Sequence, residues 1–139
     1  MEPASQHARH CLITGSASGI GAALAERLLA AGWLVSGIDR NPHPAQLAGR
    51  VAEMQADLTD AAAVAALRLP EGLPPVTAFV HCAGIMRADT DEQVRGDLGG
   101  ALWRLHVGAA EAVARRVVPD FPDGEGRIVF VSSRAAAGR

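Results

Sequence analysis

Between the apolar tetrapeptide CLIT (Cys11–Thr14) and a run rich in alanine and leucine stands TGSASGIG, residues 14–21. Gly15, Gly19 and Gly21 disfavour any continuous strand or helix through this segment, because glycine inside either element costs about 0.5–1 kcal/mol relative to alanine. They suit a sharp turn from a buried strand straight into a helix. Gly15 permits the turn off the strand, Gly19 lets backbone approach a ligand closely, and Gly21 is expected to let the helix pack near the sheet. Amides at the helix start lack intrahelical partners and favour an anion such as a pyrophosphate. The spacing is G-x-x-x-G-x-G and not G-x-G-x-x-G, but the physics is shared. A glycine-rich strand-to-helix turn that binds nothing would look the same locally, so a second feature is needed.

The rest of the chain continues the alternation. CLIT reads as a buried strand. Ile20, Leu24 and Leu28 recur at spacing four, one face of a helix closed by Gly32. WLVSGID (33–39) is a second strand, and Asn41, Pro42 and Pro44 break the chain after it. VAEMQA (51–56) is a weaker third strand, followed by a helix over 59–69 capped by Thr59 or Asp60. Pro70, Pro74 and Pro75 mark a loop before VTAFVHCAG (76–84), the fourth strand. Residues 91–118 are expected to be mostly helical, with Leu98, Leu102, Leu105 and Ala109 on one stripe despite Gly99, Gly100 and Gly108. RIVFVSS (127–133) is the fifth strand, and its apolar run predicts cover on both faces and partners at both edges. Apolar strands alternating with helices make this an α/β chain, a Rossmann-like doubly wound parallel sheet of about five strands.

Composition narrows the function classes. The 139 residues are 49% hydrophobic and 20% charged, which suits one folded domain over residues 1–139. A net charge of −2 gives no electrostatic footprint for nucleic acid or an anionic membrane. The opening MEPASQHAR lacks the apolar core of a signal peptide, and no apolar run reaches the ~18 residues of a membrane span. Two cysteines do not make a disulfide framework, and a reduced cytoplasmic setting is expected. Cys11 begins its strand while Cys82 ends a parallel one, so they are not expected to pair. His81 and Cys82, adjacent on a strand, point to opposite faces and make a poor ligand pair, so no metal site is expected.

Asp39 supplies the second feature. It closes the second strand 18 residues after Gly21, close to the roughly 20 at which an acidic residue meets the ribose of a dinucleotide. A carboxylate there accepts from the 2′-hydroxyl of NAD and repels the 2′-phosphate of NADP. Arg40 follows at once and offers a cation to that phosphate, which leaves NADP open. As a purely structural residue, Asp39 would cap the turn before Asn41.

From Cys11 to Ser133 the sequence resembles the short-chain dehydrogenase/reductase family. TGSASGIG is similar to that family's T-G-x-x-x-G-x-G cofactor loop at every fixed position. ADLTD (56–60) looks like its adenine-side segment, HCAG (81–84) stands where N-N-A-G is usual, and GRIVFVSS (126–133) resembles its fifth strand. The resemblance implies cofactor contacts from Gly15, Ser18, Gly19, Ile20, Gly21, Asp39, Arg40, Asp57, Leu58, Cys82, Ala83 and Gly84. It makes Ser133 the catalytic serine, and places His106 where the family has an asparagine that holds a water in the proton relay. A plain surface or interface histidine fits His106 equally well.

The implied reaction is NAD(P)-dependent hydride transfer between the nicotinamide and an alcohol or carbonyl of a small molecule. The complete enzyme is expected to be a homo-oligomer, without nucleic-acid or membrane partners. The family's chemistry also needs a Y-x-x-x-K element beyond the serine, and this sequence contains no tyrosine and no lysine. The chain is therefore expected to be the N-terminal, cofactor-binding part of a longer enzyme, its sheet stopping after the fifth strand, and inactive alone. The alternative is a stand-alone, non-catalytic NAD-binding module or sensor.

Overall fold

β1 (His10–Thr14) runs through the centre of a five-stranded parallel sheet ordered β3-β2-β1-β4-β5. The computed structural model describes residues 8–85 and 96–134. β2 (Leu34–Asp39) and β4 (Ala78–His81) flank β1, with β3 (Ala52–Gln55) at one edge and β5 (Arg127–Phe130) at the other. All five residues of β1 are buried. Thr14 lies opposite Ile38 of β2 and His81 of β4, so Gly15, Asp39 and Cys82 leave the sheet side by side at its carboxyl end. The chain steps from β1 outward to β3, then returns across to β4. That reversal opens a crevice at the carboxyl ends of β1 and β4.

Alternation along each strand divides the core into two layers. Leu12, Ile38 and Phe79 face one side and pack with Val64, Leu105 and Val113. Cys11, Ile13 and Val35 face the other side and pack with Ala25, Leu47 and Val51. The first layer is covered by α2 (Ala61–Ala66) and by a helical stretch composed of α3 (Leu98–Trp103), a π-helical turn (Arg104–Gly108) and α4 (Ala109–Val117), and the second by α1 (Gly19–Ala30).

The helix ends follow local rules. Gly32 takes φ +80°, its amide bonds Leu29 O, and the Trp33 amide bonds Leu28 O at 2.9 Å, the Schellman pattern that satisfies the last carbonyls of α1. Asp60, one of the two cap candidates, is the N-cap of α2 and accepts from the Ala62 amide at 2.9 Å. This helix is shorter than the expected 59–69 because Leu67 turns to extended backbone at φ −52°, ψ 136°.

One expectation is corrected. The buried seam of α1 is Gly21 and Ala25, with Leu24 and Leu28 half-buried, whereas Ile20 is 64% exposed. Small residues let α1 sit close, and this turns Ile20 away from the layer. The mostly helical segment expected over 91–118 is helical from Leu98 to Val117, with the π turn at Arg104–Gly108 between α3 and α4, and residues 91–95 lie outside the described residues. β5 pairs with β4, and Arg127–Phe130 are exposed, so the cover and second partner that RIVFV predicts do not come from the described residues.

Among the described residues no helix is long and apolar enough to cross a membrane. Cys11 and Cys82 are free thiols. Cys11 pairs in register with Ala78, four residues before Cys82 along a parallel strand, about 13 Å at 3.3 Å per residue. Burial, with a smaller contribution from Cys82, pushes the Cys11 thiol up to about 12.

Candidate functional site

The crevice is an open cleft of about 310 Å³ whose wall begins at the glycine-rich turn. Gly15 has φ +68° and donates its amide to Ile38 O at 2.8 Å. A Cβ on Gly15 would lie 2.8 Å from both the Cα and the amide of Ala83, so only glycine lets the turn nest against the end of β4. A Cβ on Gly21 would collide with Gly15 O. Gly21 thus brings α1 against the turn's own carbonyl, where the sequence suggested the sheet. Ser18, the N-cap, makes no side-chain cap bond among the described residues, and the first turn of α1 carries no acidic residue. The N-terminal end of α1, with no acidic residue in its own first turn, borders the cleft through Ser18, Gly19 and Ile20.

The second wall comes from β2 and β3. Asp39 is half-buried, accepting from the Ala17 amide through Oδ2 at 3.0 Å and from the Asn41 amide through Oδ1 at 2.9 Å. It caps the turn as a structural residue would, and it also clamps the glycine loop. Asp57 Oδ1 accepts from the Thr59 hydroxyl at 2.7 Å and the Thr59 amide at 2.9 Å. These bonds hold its carboxyl below the usual carboxylate range, and the nearby Arg40 guanidinium adds to the effect. Arg40 is exposed and Leu58 is buried; both line the cleft.

The third wall is the end of β4, held by a directional chain of hydrogen bonds. Leu105 O can only accept, so His81 Nε2, 3.0 Å away, donates to it. Nδ1 of the neutral ring then accepts from the Thr14 hydroxyl at 2.7 Å, and Thr14 Oγ1 accepts from the Ala83 amide at 3.2 Å. Burial pushes the His81 pKa down, the Leu105 bond opposes that, and His106 adds to the depression. Leu105 O is available because the Ala109 amide reaches back to Arg104 O, the i→i−5 bond of the π turn. Cys82, Ala83 and Gly84 line the cleft beside this chain.

The structure thus brings Gly15, Ser18, Gly19 and Ile20 together with Asp39, Arg40, Asp57, Leu58, Cys82, Ala83 and Gly84 in one cleft. Gly21 lies beneath it. His106 is exposed on the π turn, its Nε2 3.2 Å from Ile85 O and 3.4 Å from the Ile85 amide, with its ring packed on Gly84. Ser133 follows β5 on an exposed segment and is not among the residues lining the cleft. Sequence reasoning missed Thr14 and His81 as the bond hub, together with Ile38, Asn41, Ala56, Thr59, Ile85 and Leu105 in the lining. A histidine directly after the VTAFV run, at the end of β4, was the available signal for the hub. Among the described residues no group of three or more His, Cys, Asp or Glu is placed to hold a metal ion.

The family description "short chain dehydrogenase" matches residues 9–139. This chain is a short-chain dehydrogenase family member. It is 32% identical over 135 residues to the short chain dehydrogenase ausX of Aspergillus calidoustus, covering 90% of this chain and 51% of that protein. Among solved structures, the bulky-bulky ketone specific alcohol dehydrogenase of Comamonas testosteroni superposes with a TM-score of 0.81 at 28% identity, over 96% of this chain and 58% of that one. A short-chain dehydrogenase from Streptomyces avermitilis gives 0.74 at 28% identity, over 91% and 49%. The chain spans about half the length of these short-chain dehydrogenase relatives. Their shared Rossmann-like fold matches the sheet described above, and the family is one of oxidoreductases that use a nicotinamide dinucleotide.

Proposed function

We propose that residues 1–139 act as one dinucleotide-binding domain that takes NAD in preference to NADP. The observation that carries this is the pairing of a helix N-terminus with no acidic residue in its first turn, reached over Gly15 and Gly21, with the Asp39 carboxylate lining the same cleft. The amides of Gly19, Ile20 and Gly21 would hold the pyrophosphate, Asp39 the adenosine ribose, Asp57 and Leu58 the adenine side, and Cys82, Ala83 and Gly84 the wall toward the nicotinamide. Arg40 keeps NADP as the weaker ligand. Bound nicotinamide would accept or donate the hydride that interconverts an alcohol and a carbonyl on a small-molecule substrate.

This chain's own contribution to that reaction is Ser133, whose hydroxyl would hold the substrate oxygen, and His106, whose ring would hold a water or the backbone at Ile85. No tyrosine or lysine is present to move the proton. We therefore infer that the 139-residue chain binds cofactor without turning over, and that catalysis belongs to a complete, homo-oligomeric enzyme working in a reduced cytoplasm.

Titration calorimetry of the chain with NAD and NADP tests the binding reading. Tighter NAD binding supports it, and tighter NADP binding or none overturns it. A steady NADH signal from the chain with alcohols, abolished by Ser133→Ala, would refute the inference of inactivity.

A further inference from the structure

Ser16 and His43 form a buried pair beneath the glycine-rich turn, separate from the residues that line the cleft, with the exposed Glu53 on the far side of the imidazole. Ser16 Oγ lies 2.7 Å from His43 Nε2, and His43 Nδ1 lies 3.4 Å from Glu53 Oε2. Ser16 has no exposed surface, and the His43 side chain is 2% exposed. The imidazole therefore hydrogen-bonds the Ser16 hydroxyl on one side and stands at ion-pair distance from the Glu53 carboxylate on the other.

Serine, histidine and carboxylate stand in the order of a nucleophile relay. Ser16 is enclosed, however, and does not line the cleft, so no substrate carbonyl reaches its oxygen. The pair instead joins distant parts of the chain. β2 makes room for it at Gly37, where a Cβ would collide with Ser16 Oγ and lie 2.7 Å from His43 Nε2. Glycine in a central strand forfeits packing, and close approach of another group is the reason strands keep one. His43 belongs to the connection between β2 and β3, so this segment folds back across β2 and grips the turn. Ala17, the next residue of the turn, is held by Asp39. Two consecutive turn residues are thereby fixed from the adenosine side of the site.

We propose that His43 is a positioning residue for dinucleotide binding: through Ser16 it fixes the turn in the geometry that presents its amides to the pyrophosphate. The proposal rests on reading the cleft as a dinucleotide site. A turn held in place before the ligand arrives pays less ordering entropy on binding.

The test is calorimetric titration of the full chain with NAD, ADP and adenosine, for the wild type, Ser16→Ala, His43→Leu and His43→Gln. Chemical denaturation of each variant fixes a temperature at which it is folded. Ser16→Ala removes one hydroxyl only and carries the test should His43→Leu fail to fold. Ser16→Ala and His43→Leu are expected to raise the dissociation constants of NAD and ADP about tenfold, the scale of one lost hydrogen bond. Adenosine, which has no pyrophosphate, keeps its affinity, and glutamine, with both an acceptor and a donor, recovers most of the loss. A wild-type chain that binds no NAD overturns the cofactor reading itself. Wild-type NAD binding with unchanged NAD and ADP constants in folded Ser16→Ala overturns the role of His43 alone. So does an equal loss for all three ligands, which marks general loosening.

Discussion

The Asp39 carboxylate spans two backbone segments, taking the Ala17 amide of the glycine loop at 3.0 Å and the Asn41 amide beyond β2 at 2.9 Å. One side chain therefore sets the loop's position and the chain's exit from the sheet.

Asp39→Asn tests both consequences. The amide retains one acceptor oxygen, so one of the two backbone donors loses its partner and the charge is gone. Bonds to charged groups are worth about 1.5–3 kcal/mol, and NAD affinity is expected to fall by about tenfold or more. With the negative charge removed and Arg40 kept, the preference for NAD over NADP narrows. Parallel titrations with the two cofactors measure the ratio, and an unchanged ratio excludes Asp39 as the discriminator.

Gly15 and Gly49 separate backbone strain from steric conflict. Both have positive φ, +68° and +73°. A Cβ at Gly49 meets nothing within 4 Å, whereas at Gly15 it would sit 2.8 Å from Ala83 backbone. Gly49→Ala is expected to cost about 1–2 kcal/mol, the left-handed penalty alone. Gly15→Ala should cost clearly more and weaken NAD binding. Urea unfolding of the two variants checks this, and equal losses would show that the turn does not depend on its contact with Ala83.

His81 makes stability depend on pH. Its folded pKa lies below the ordinary 6.5, burial being the main cause. Above that value both folded and unfolded chains hold the ring neutral, and this group contributes no slope. As pH falls below it the unfolded chain binds the proton first, so stability declines until the folded ring also titrates. Asparagine at this position has no such proton to bind. The difference in unfolding free energy between wild type and His81→Asn should be flat above neutrality and shrink as pH is lowered toward 5. A pH-independent difference would show that His81 titrates alike in both states.

How much of this was legible in the sequence varies with what each residue answers to. β1 and β2 are buried apolar runs, and Gly32 ends α1 through its own backbone conformation, so local pattern suffices for them. The residues that meet at the cleft lie at strand ends, where the parallel register lines up Gly15, Asp39 and Cys82. Ile20 misled because hydrophobicity names the apolar face, while α1 approaches the sheet through its smallest residues. The π turn is legible only with β4 in view, since its displaced carbonyl is bound by His81, 24 residues away in sequence. The Ser16–His43 bond likewise joins residues 27 apart across β2. RIVFV says that cover over β5 would be favourable, and the described residues do not supply it.

The π turn has a geometric consequence for the helical stretch from Leu98 to Val117. A turn holding one residue more than an α-turn advances the side-chain phase by about 100°. Downstream, Ala109, Val113 and Val117 face the sheet, while upstream Trp103 is 66% exposed. What looks along the backbone like one rod is two rods coupled out of phase, joined at the turn whose Leu105 carbonyl is bound by His81.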